Sequence, residues 1–596
     1  MANIAQLLTE HMDIWTAADI EKKSGRGRAS GNAGSVYGVK KLRELILELA
    51  VRGKLVPQDP NDEPATELLK RIQAQKTKLI AEGKLKKEKP LAPIAEDEKP
   101  FELPNGWEWV HLPNVTDYKV GKTPSTKSSV YWTNDDNGYN WVSIADLNHD
   151  GEVTETAKKV TQQALKEVFK SDPVPIGTIL MSFKLTLGKI SILEVPAFHN
   201  EAIISIYPSP AIDKSYLFKI LPARANEGNS KSAIKGNTLN SESIAALLLP
   251  LPPLAEQHRI VTKVDELMAL CDQLEQQHSN AQEAHETLVS QLLATLTQSQ
   301  NVAEFNANWQ RIYAHFDVLF TTEASIDALK QTLLQHGVMG KLVPQDPNDE
   351  PASELLKRIQ AEKAKLIAEG KLKKEKPLAP IGEDEKPFEL PRGWEWVQWI
   401  ELTALNDAAF KRGPFGSSLK KDMFVSSGYK VYEQYCPIND DCSFERYFVT
   451  KEKYESMKEF AVKANDFLVS CSGVTLGRIT QVPEYFNEGI INQALLRVRM
   501  NHEFVDSNFF KLLFRSPYFQ EMIFENSTGS AIPNVKGVQE LKKMAVPLLP
   551  IAEQQRIVAK VDELMALCDQ LKTRIQQANQ QQKAIAVALV AEAVAE

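Results

Sequence analysis

The chain has 596 residues, 43% hydrophobic and 25% charged, which suits a globular protein with several cores and excludes collagen-like, mucin-like and wholly disordered chains. Lys and Arg total 70 against 78 Asp and Glu, a formal net charge of −8. Proteins that hold nucleic acid through phosphates alone are normally basic, so a nucleic-acid role here needs local patches or a partner's field. Cys271, Cys436, Cys442, Cys471 and Cys568 are odd in number and form no C-x-x-C pair, which argues against a disulfide framework or a zinc site and for a reducing compartment. No leader pattern and no apolar run of membrane length is present, so a cytoplasmic protein without membrane contact is expected.

In chain order, residues 25–35 read as a flexible loop and the stripe Val39, Leu42, Ile46, Leu49 as an amphipathic helix needing a partner. A second helix is expected at 65–81, with Leu68, Leu69, Ile72, Leu79 and Ile80 on one face. It runs into the basic run Lys84, Lys86, Lys87, Lys89, by default a solvated stretch and otherwise a phosphate or partner contact. Residues 89–104, rich in Pro and Glu, read as an extended linker. Strands are expected at 139–147, 178–183 and 202–207, and helices at 161–170 and 214–226. A proline stop at Pro250, Pro252 and Pro253 then precedes a long helix, with Glu256 suited to its N-terminus. Ile260, Val264, Leu267, Cys271 and Leu274 in that helix alternate by four and three, the seam of a coiled coil.

The pattern then starts again. Residues 53–110 recur as 340–397 with five differences: Thr66/Ser353, Gln75/Glu362, Thr77/Ala364, Ala95/Gly382 and Asn105/Arg392. Residues 254–274 recur as 551–571, with the seam Ile557, Val561, Leu564, Cys568 and Leu571. The stripe returns at Ile326, Leu329 and Leu333, and His11-Met-Asp13-Ile is echoed by His315-Phe-Asp317-Val. Between these near-identical pieces lie two divergent ones, so the connectors do one job twice while each module has its own target; the alternative is a recent duplication still drifting, but uniform drift would spread the differences evenly and these are concentrated. Two long helices imply an intramolecular antiparallel pair that sets the modules apart, the alternative being that each helix packs on its own module; the strict heptad favours the pair. The expected domains are 1–104 (shared helical region), 105–250 (first module), 251–391 (central shared region), 392–547 (second module) and 548–596 (C-terminal shared helix).

The second module is expected to have strands at 467–471 and 494–498 and a helix at 507–525. The modules share Thr186-Leu-Gly188-Lys189-Ile190 and Thr475-Leu-Gly477-Arg478-Ile479, each followed by an Asn-Glu pair, Asn200-Glu201 and Asn487-Glu488. Both close on polar segments, Lys235-Gly-Asn237 and Asn534-Val-Lys536. Their openings differ: Gly121-Lys122-Thr123-Pro-Ser125 in one, Lys411-Arg412-Gly-Pro-Phe-Gly-Ser417-Ser418-Leu in the other.

Taken together, these openings, the T-L-G-[KR]-I core and the P-L-[LP]-P-[LI]-A-E-Q-[HQ]-R-I-V exit into a heptad helix resemble the specificity subunit of type I restriction–modification enzymes across essentially the whole chain. The resemblance implies two α/β (α+β) target-recognition domains joined by long helices in an antiparallel coiled coil, with an internal tandem repeat and pseudo-twofold symmetry. It implies a non-catalytic subunit that reads a bipartite double-stranded DNA target and docks two methyltransferase subunits and the restriction subunits. Those partners would use S-adenosylmethionine, ATP and Mg; this chain would hold no cofactor and no metal. The absence of a Walker A loop, a [DN]-P-P-[YF] motif and a G-x-G-x-x-G turn agrees. Charge is near-balanced in each module, which suits targeted base contacts better than a sliding clamp. Candidate DNA-contacting residues are Lys122, Thr123, Ser125, Lys127, Thr186, Lys189, Lys235 and Asn237 in the first module. In the second they are Lys411, Arg412, Ser417, Ser418, Lys420, Thr475, Arg478, Asn534 and Lys536. The rival reading is a two-module protein-interaction scaffold that binds no DNA.

Overall fold

The computed structural model describes residues 11–16, 36–83, 91–184, 186–227, 244–299, 301–373, 378–406, 408–415, 418–472, 475–524 and 535–595. The loop at 25–35 and the basic run Lys84–Lys89 lie outside these residues, as do Lys374 and Lys376 of its second copy. No helix among the described residues is long and apolar enough to cross a membrane.

The chain divides into two units. The first comprises residues 1–281 and 578–596, the second residues 282–577. Each contains one divergent module, one copy of the shared connector, the start of one long helix and the end of the other. The long helices are Leu254–Thr297 and Ile551–Ala595.

Within the first unit the heptad seam meets a short helix. Ile260, Val264, Leu267 and Cys271 share one core with Val39, Leu42, Ile46 and Leu49 of the helix Tyr37–Val51. Arg43 of that helix reaches across to Asp272 (2.7 Å) and Glu275 (3.0 Å). In the second unit Ile557, Val561, Leu564 and Cys568 share a core with Ile326, Leu329 and Leu333 of the helix Glu323–Val338. There Lys330 pairs with Asp569, and Lys572 pairs with Glu323 (3.1 Å) and Asp327 (3.2 Å). Each seam is therefore occupied by the short amphipathic helix of its own repeat, and each core also takes in the far end of the other long helix, Ala586 and Ala593 in the first and Val289, Leu293 and Leu296 in the second. The cause is proximity, because the connector that follows each short helix is anchored to the start of the long one.

That anchor is a buried carboxylate. Glu256, 1% exposed in the first turn of the long helix, accepts hydrogen bonds from Trp107 Nε1 (2.9 Å) and Gln58 Nε2 (3.1 Å). One turn on, Arg259 pairs with Asp62 (2.7 Å). Gln257 accepts from the backbone of Asp213 (2.9 Å) and donates to Pro252 O (2.9 Å). The second repeat reproduces the set: Trp394 Nε1 (2.9 Å) and Gln345 Nε2 (3.0 Å) on Glu553, Arg556 on Asp349 (2.6 Å), and Gln554 on the backbone of Asp506 (2.8 Å). Gly53 and Gly340, both at φ +68°, sit where a Cβ would strike the proline and tryptophan of this junction. The stretch before each tryptophan, expected to be an extended linker, is interrupted by a 3-10 turn at Glu96–Glu98 or Glu383–Glu385, and in the first copy it is held: the Arg52 guanidinium lies 4.5 Å over the Phe101 ring, which packs edge-on against Trp109 at 5.0 Å.

The modules share a common order of four strands in the main sheet, to which the first adds a fifth. A two-stranded ribbon, Glu108–His111 with Leu248–Leu251, or Glu395–Gln398 with Ala545–Leu548, joins each to its connector. The main sheet of the first has the order Thr116–Val120, Ile203–Pro208, Ile179–Ser182, Ile190–Leu193, Gly151–Val153. That of the second runs Phe410–Arg412, Leu495–Val498, Phe467–Ser470, Ile479–Gln481. A smaller sheet flanks each, with the parallel pairs Tyr139–Val142 with Ala197–His199 and Tyr429–Tyr432 with Gly489–Ile491. The strand expected at 139–147 stops at Val142, where Asp146 takes the backbone and hydroxyl of Ser143 (2.7 and 2.6 Å) into a turn. The helix expected at 507–525 is two, Ser507–Arg515 and Pro517–Ile523, broken because Ser516 precedes a proline and caps the second. Glu525 lies outside the described residues.

Burial raises the Glu256 pKa above the ordinary glutamate value, against the pull of its Trp107 and Gln58 hydrogen bonds. The native state therefore binds that proton more tightly than the unfolded chain, and this group favours folding as pH falls through its native pKa and opposes it above. Glu256→Ala should destabilise the first unit by about 2–3 kcal/mol, because two buried donors lose their acceptor. Glu256→Gln should cost less at pH 7 and remove that pH dependence. Urea unfolding at pH 5 and pH 8 checks both.

Candidate nucleic-acid interface

One end of each main sheet abuts its connector. In the first module Thr116 and Pro208 pair at that end, and Ser209 N donates to Val115 O (3.0 Å). The other end, from Val120 and Ile203 onward, makes no hydrogen bond to the connector among the described residues and carries most of the motifs singled out from sequence.

At that free end three crossings meet on one residue, Asn200. Its backbone N donates to Val142 O (3.0 Å) and its side-chain Oδ1 accepts from Ala202 N (3.0 Å). Gly121 N donates to Ile203 O (3.2 Å), and a Cβ on Gly121 would collide with the carbonyls of His199 and Asn200. Phe183 N donates to Ala202 O (2.9 Å), which brings in the T-L-G loop. Burial holds the His199 imidazole down at about 4, so it is neutral at pH 7.

Asn492 does the same in the second module. Its N donates to Tyr432 O (2.9 Å) and its Oδ1 accepts from Ala494 N (3.0 Å). Gly413 N donates to Leu495 O (2.8 Å), Cys471 N to Ala494 O (2.8 Å), and a Cβ on Gly413 would collide with Asn492 O. The counterpart of Asn200 is thus Asn492, not Asn487, which corrects the match made from sequence. Asn487 precedes the parallel strand and takes part in a different contact, its carbonyl accepting from Tyr432 Oη (2.8 Å).

The T-L-G motif is a closed hairpin loop, which explains its recurrence. Buried Ser182 donates its hydroxyl to Thr186 O and accepts from Lys189 N (3.0 Å), while Gly188 N donates to Ser182 O (2.9 Å). Ser470 repeats this with Thr475 O (3.0 Å), Arg478 N (3.0 Å) and Gly477 N (3.0 Å). Gly188 and Gly477 sit at φ +72° and +66°, where other residues are strained.

Several expected DNA-contacting cations are already engaged. Lys122 Nζ donates to Val168 O (3.0 Å), Lys189 Nζ to Ile144 O (3.1 Å), and Lys411 pairs with Glu459 at 2.5 Å. Arg412 lies 5.6 Å over the exposed Phe415 ring. Lys127, Ser418, Lys420 and Arg478 are exposed, as are Ser125 and Thr186, while Thr123, Thr475 and Lys536 are half-buried. Lys235, Asn237, Ser417 and Asn534 lie outside the described residues. Lys127 lines a groove of about 360 Å³ with Trp132, Lys158 and Lys159, three residues that sequence reasoning missed. Lys158 sits 5.5 Å over the Trp132 ring, whose Nε1 donates to Ser125 O (3.1 Å) and ties the groove to the opening motif. Among the described residues no cluster of His, Cys, Asp or Glu could hold a metal ion.

A connector and a polar-rimmed module are built twice on one plan, once in each unit. A family model described as "Type I restriction modification DNA specificity domain" matches residues 104–283 and 415–580. The type I restriction enzyme EcoAI specificity subunit of Escherichia coli is 40% identical over 99% of this chain and 100% of its own. The EcoEI specificity subunit of Escherichia coli is 38% identical over 98% of this chain and 99% of its own. The crystal structure of the HsdS subunit from Thermoanaerobacter tengcongensis aligns at 16% identity over 83% of this chain and 98% of that one, with a TM-score of 0.36. The chain belongs to the family of type I restriction–modification specificity subunits. It is accordingly a non-catalytic component of such a system.

Gly121→Ala should cost the first module about 2–3 kcal/mol, and Gly413→Ala the second, because a backbone carbonyl rather than a flexible side chain must move. Lys127→Ala, on the exposed groove wall, should stay within about 0.5 kcal/mol of the parent. Chemical denaturation of each variant decides between these outcomes.

Proposed function

We propose that each module reads one half of a split double-stranded DNA target, and that the shared connectors and long helices dock two methyltransferase subunits, with restriction subunits joining that complex. S-adenosylmethionine, ATP and Mg belong to those partners. One observation carries the reading: the same rigid rim is built on the free ends of two equivalent sheets from different exposed side chains. A fixed frame with variable chemistry is what two independent readers of sequence require. The Lys127, Lys158 and Lys159 groove supports phosphate contacts beside the first rim. The near-identical connectors, present twice, suit two copies of one partner, and Lys263 and Lys560, paired along their own helices with Glu266 and Glu563, offer matched, half-buried positions for it.

Replacing residues 112–247 by residues 399–544 should give a complex whose target has two like halves. Sequencing the sites methylated by the assembled methyltransferase reads this. A changed second half, or no site-specific methylation, would contradict the proposal.

The long helices are the spacer in this reading, since each belongs partly to both units. Because the seams at 260–271 and 557–568 are occupied by short helices, added length belongs after them. Seven residues inserted between 276 and 281 and again between 573 and 577 add about 10 Å of helix each. The gap between half-sites should widen by about three base pairs. An unchanged gap would remove the helices as the ruler.

A further inference from the structure

Each rim is centred on an Asn-X-Ala turn whose outer members the fold requires. Asn200 and Asn492 close the turn on Ala202 N and Ala494 N, both at 3.0 Å, and their own backbones cross to Val142 and Tyr432. Gly121 and Gly413 press on one side with no room for a Cβ, and Phe183 N and Cys471 N bond the alanine carbonyls on the other. The middle residue, Glu201 in one module and Gln493 in the other, is exposed and makes no hydrogen bond or ion pair among the described residues. The frame needs nothing of its side chain, and there the chemistry differs between the heads.

A carboxylate offers acceptors alone, whereas a carboxamide offers an acceptor and two donors. At base edges in the major groove the first suits the amino group of cytosine and the second pairs bidentately with adenine. A carboxylate on a rim that faces DNA is repelled by phosphates, so a base amino group is the partner that accounts for it. We propose that Glu201 and Gln493 are specificity-determining residues at equivalent places of the two half-sites, Glu201 reading a cytosine and Gln493 an adenine. The inference rests on the DNA-reading function proposed above.

The test uses the full chain assembled with its methyltransferase, S-adenosylmethionine and a randomised DNA library, with methylated sites sequenced. In Glu201→Gln one position of the first half-site should move from cytosine toward adenine by about tenfold or more, with the second half-site unchanged. Gln493→Glu should do the converse in the second half-site. Thermal unfolding of both variants should match the parent, because neither side chain supports the frame. Unchanged half-sites in both variants, or a uniform loss of methylation across all sequences, would overturn the assignment. A parent complex without any site-specific methylation would instead overturn the DNA-reading function itself.

Discussion

The carboxylate of Glu256, with its twin Glu553, is the constraint on which the rest of the structure depends. A carboxyl group out of water is costly unless its acceptors are used, and here one tryptophan and one glutamine from the connector use them. That bond fixes where the long helix starts relative to the ribbon that enters the module. The neighbouring glutamine and arginine carry the same fixation to the module and to the connector's loop. A substitution in any of these pieces is felt by several elements at once.

The consequence is a polarity within each module. The base of the main sheet is tied to the connector through the ribbon and the buried glutamate, and the opposite end has only its own turns to hold it. Those turns are rigid without help: a glycine against a carbonyl, an asparagine closing on an alanine, a serine inside a hairpin loop. None of these devices depends on the exposed side chains beside them. The first rim has Lys127, Lys158, Lys159 and Trp132 nearby, the second Arg412, Phe415 and Lys420. Charged side chains can therefore change on this scaffold without changing the fold, and a family of readers needs that separation.

The tandem repeat, the long helices and five strands, those in 139–147, 178–183, 202–207, 467–471 and 494–498, were legible in the letters, because heptad patterns and short apolar runs report burial directly, while the short edge strands carry no such signal. The partner of the heptad seam was not. A 4-3 stripe specifies that a helix packs on another helix but not which one, and the deciding fact, Glu256 holding the connector against the helix start, is a contact across 149 positions. Ser182 and Ser470 read as ordinary strand residues, and their loop-closing role shows only when Thr186 and Thr475 fold back onto them. The register of the second asparagine was misassigned because Asn-Glu at 487–488 copied the letters of 200–201, while the geometry chose Asn-Gln-Ala at 492–494. Several cations that sequence offered to DNA, Lys122, Lys189 and Lys411, turned out to hold local carbonyls or a carboxylate, a use that no local pattern marks.

The central claim is that the free rims, and not the connectors, meet the nucleic acid. Photo-crosslinking tests it most directly: a photoreactive amino acid placed at the exposed positions 201 or 493 on the rims, or at 70 or 357 on the exposed connector helices, in the complex assembled on its target DNA. The account predicts crosslinks from 201 to one half-site and from 493 to the other, with none from 70 or 357. Crosslinks from the connector positions with none from the rims, or both rim positions reaching the same half-site, would contradict it.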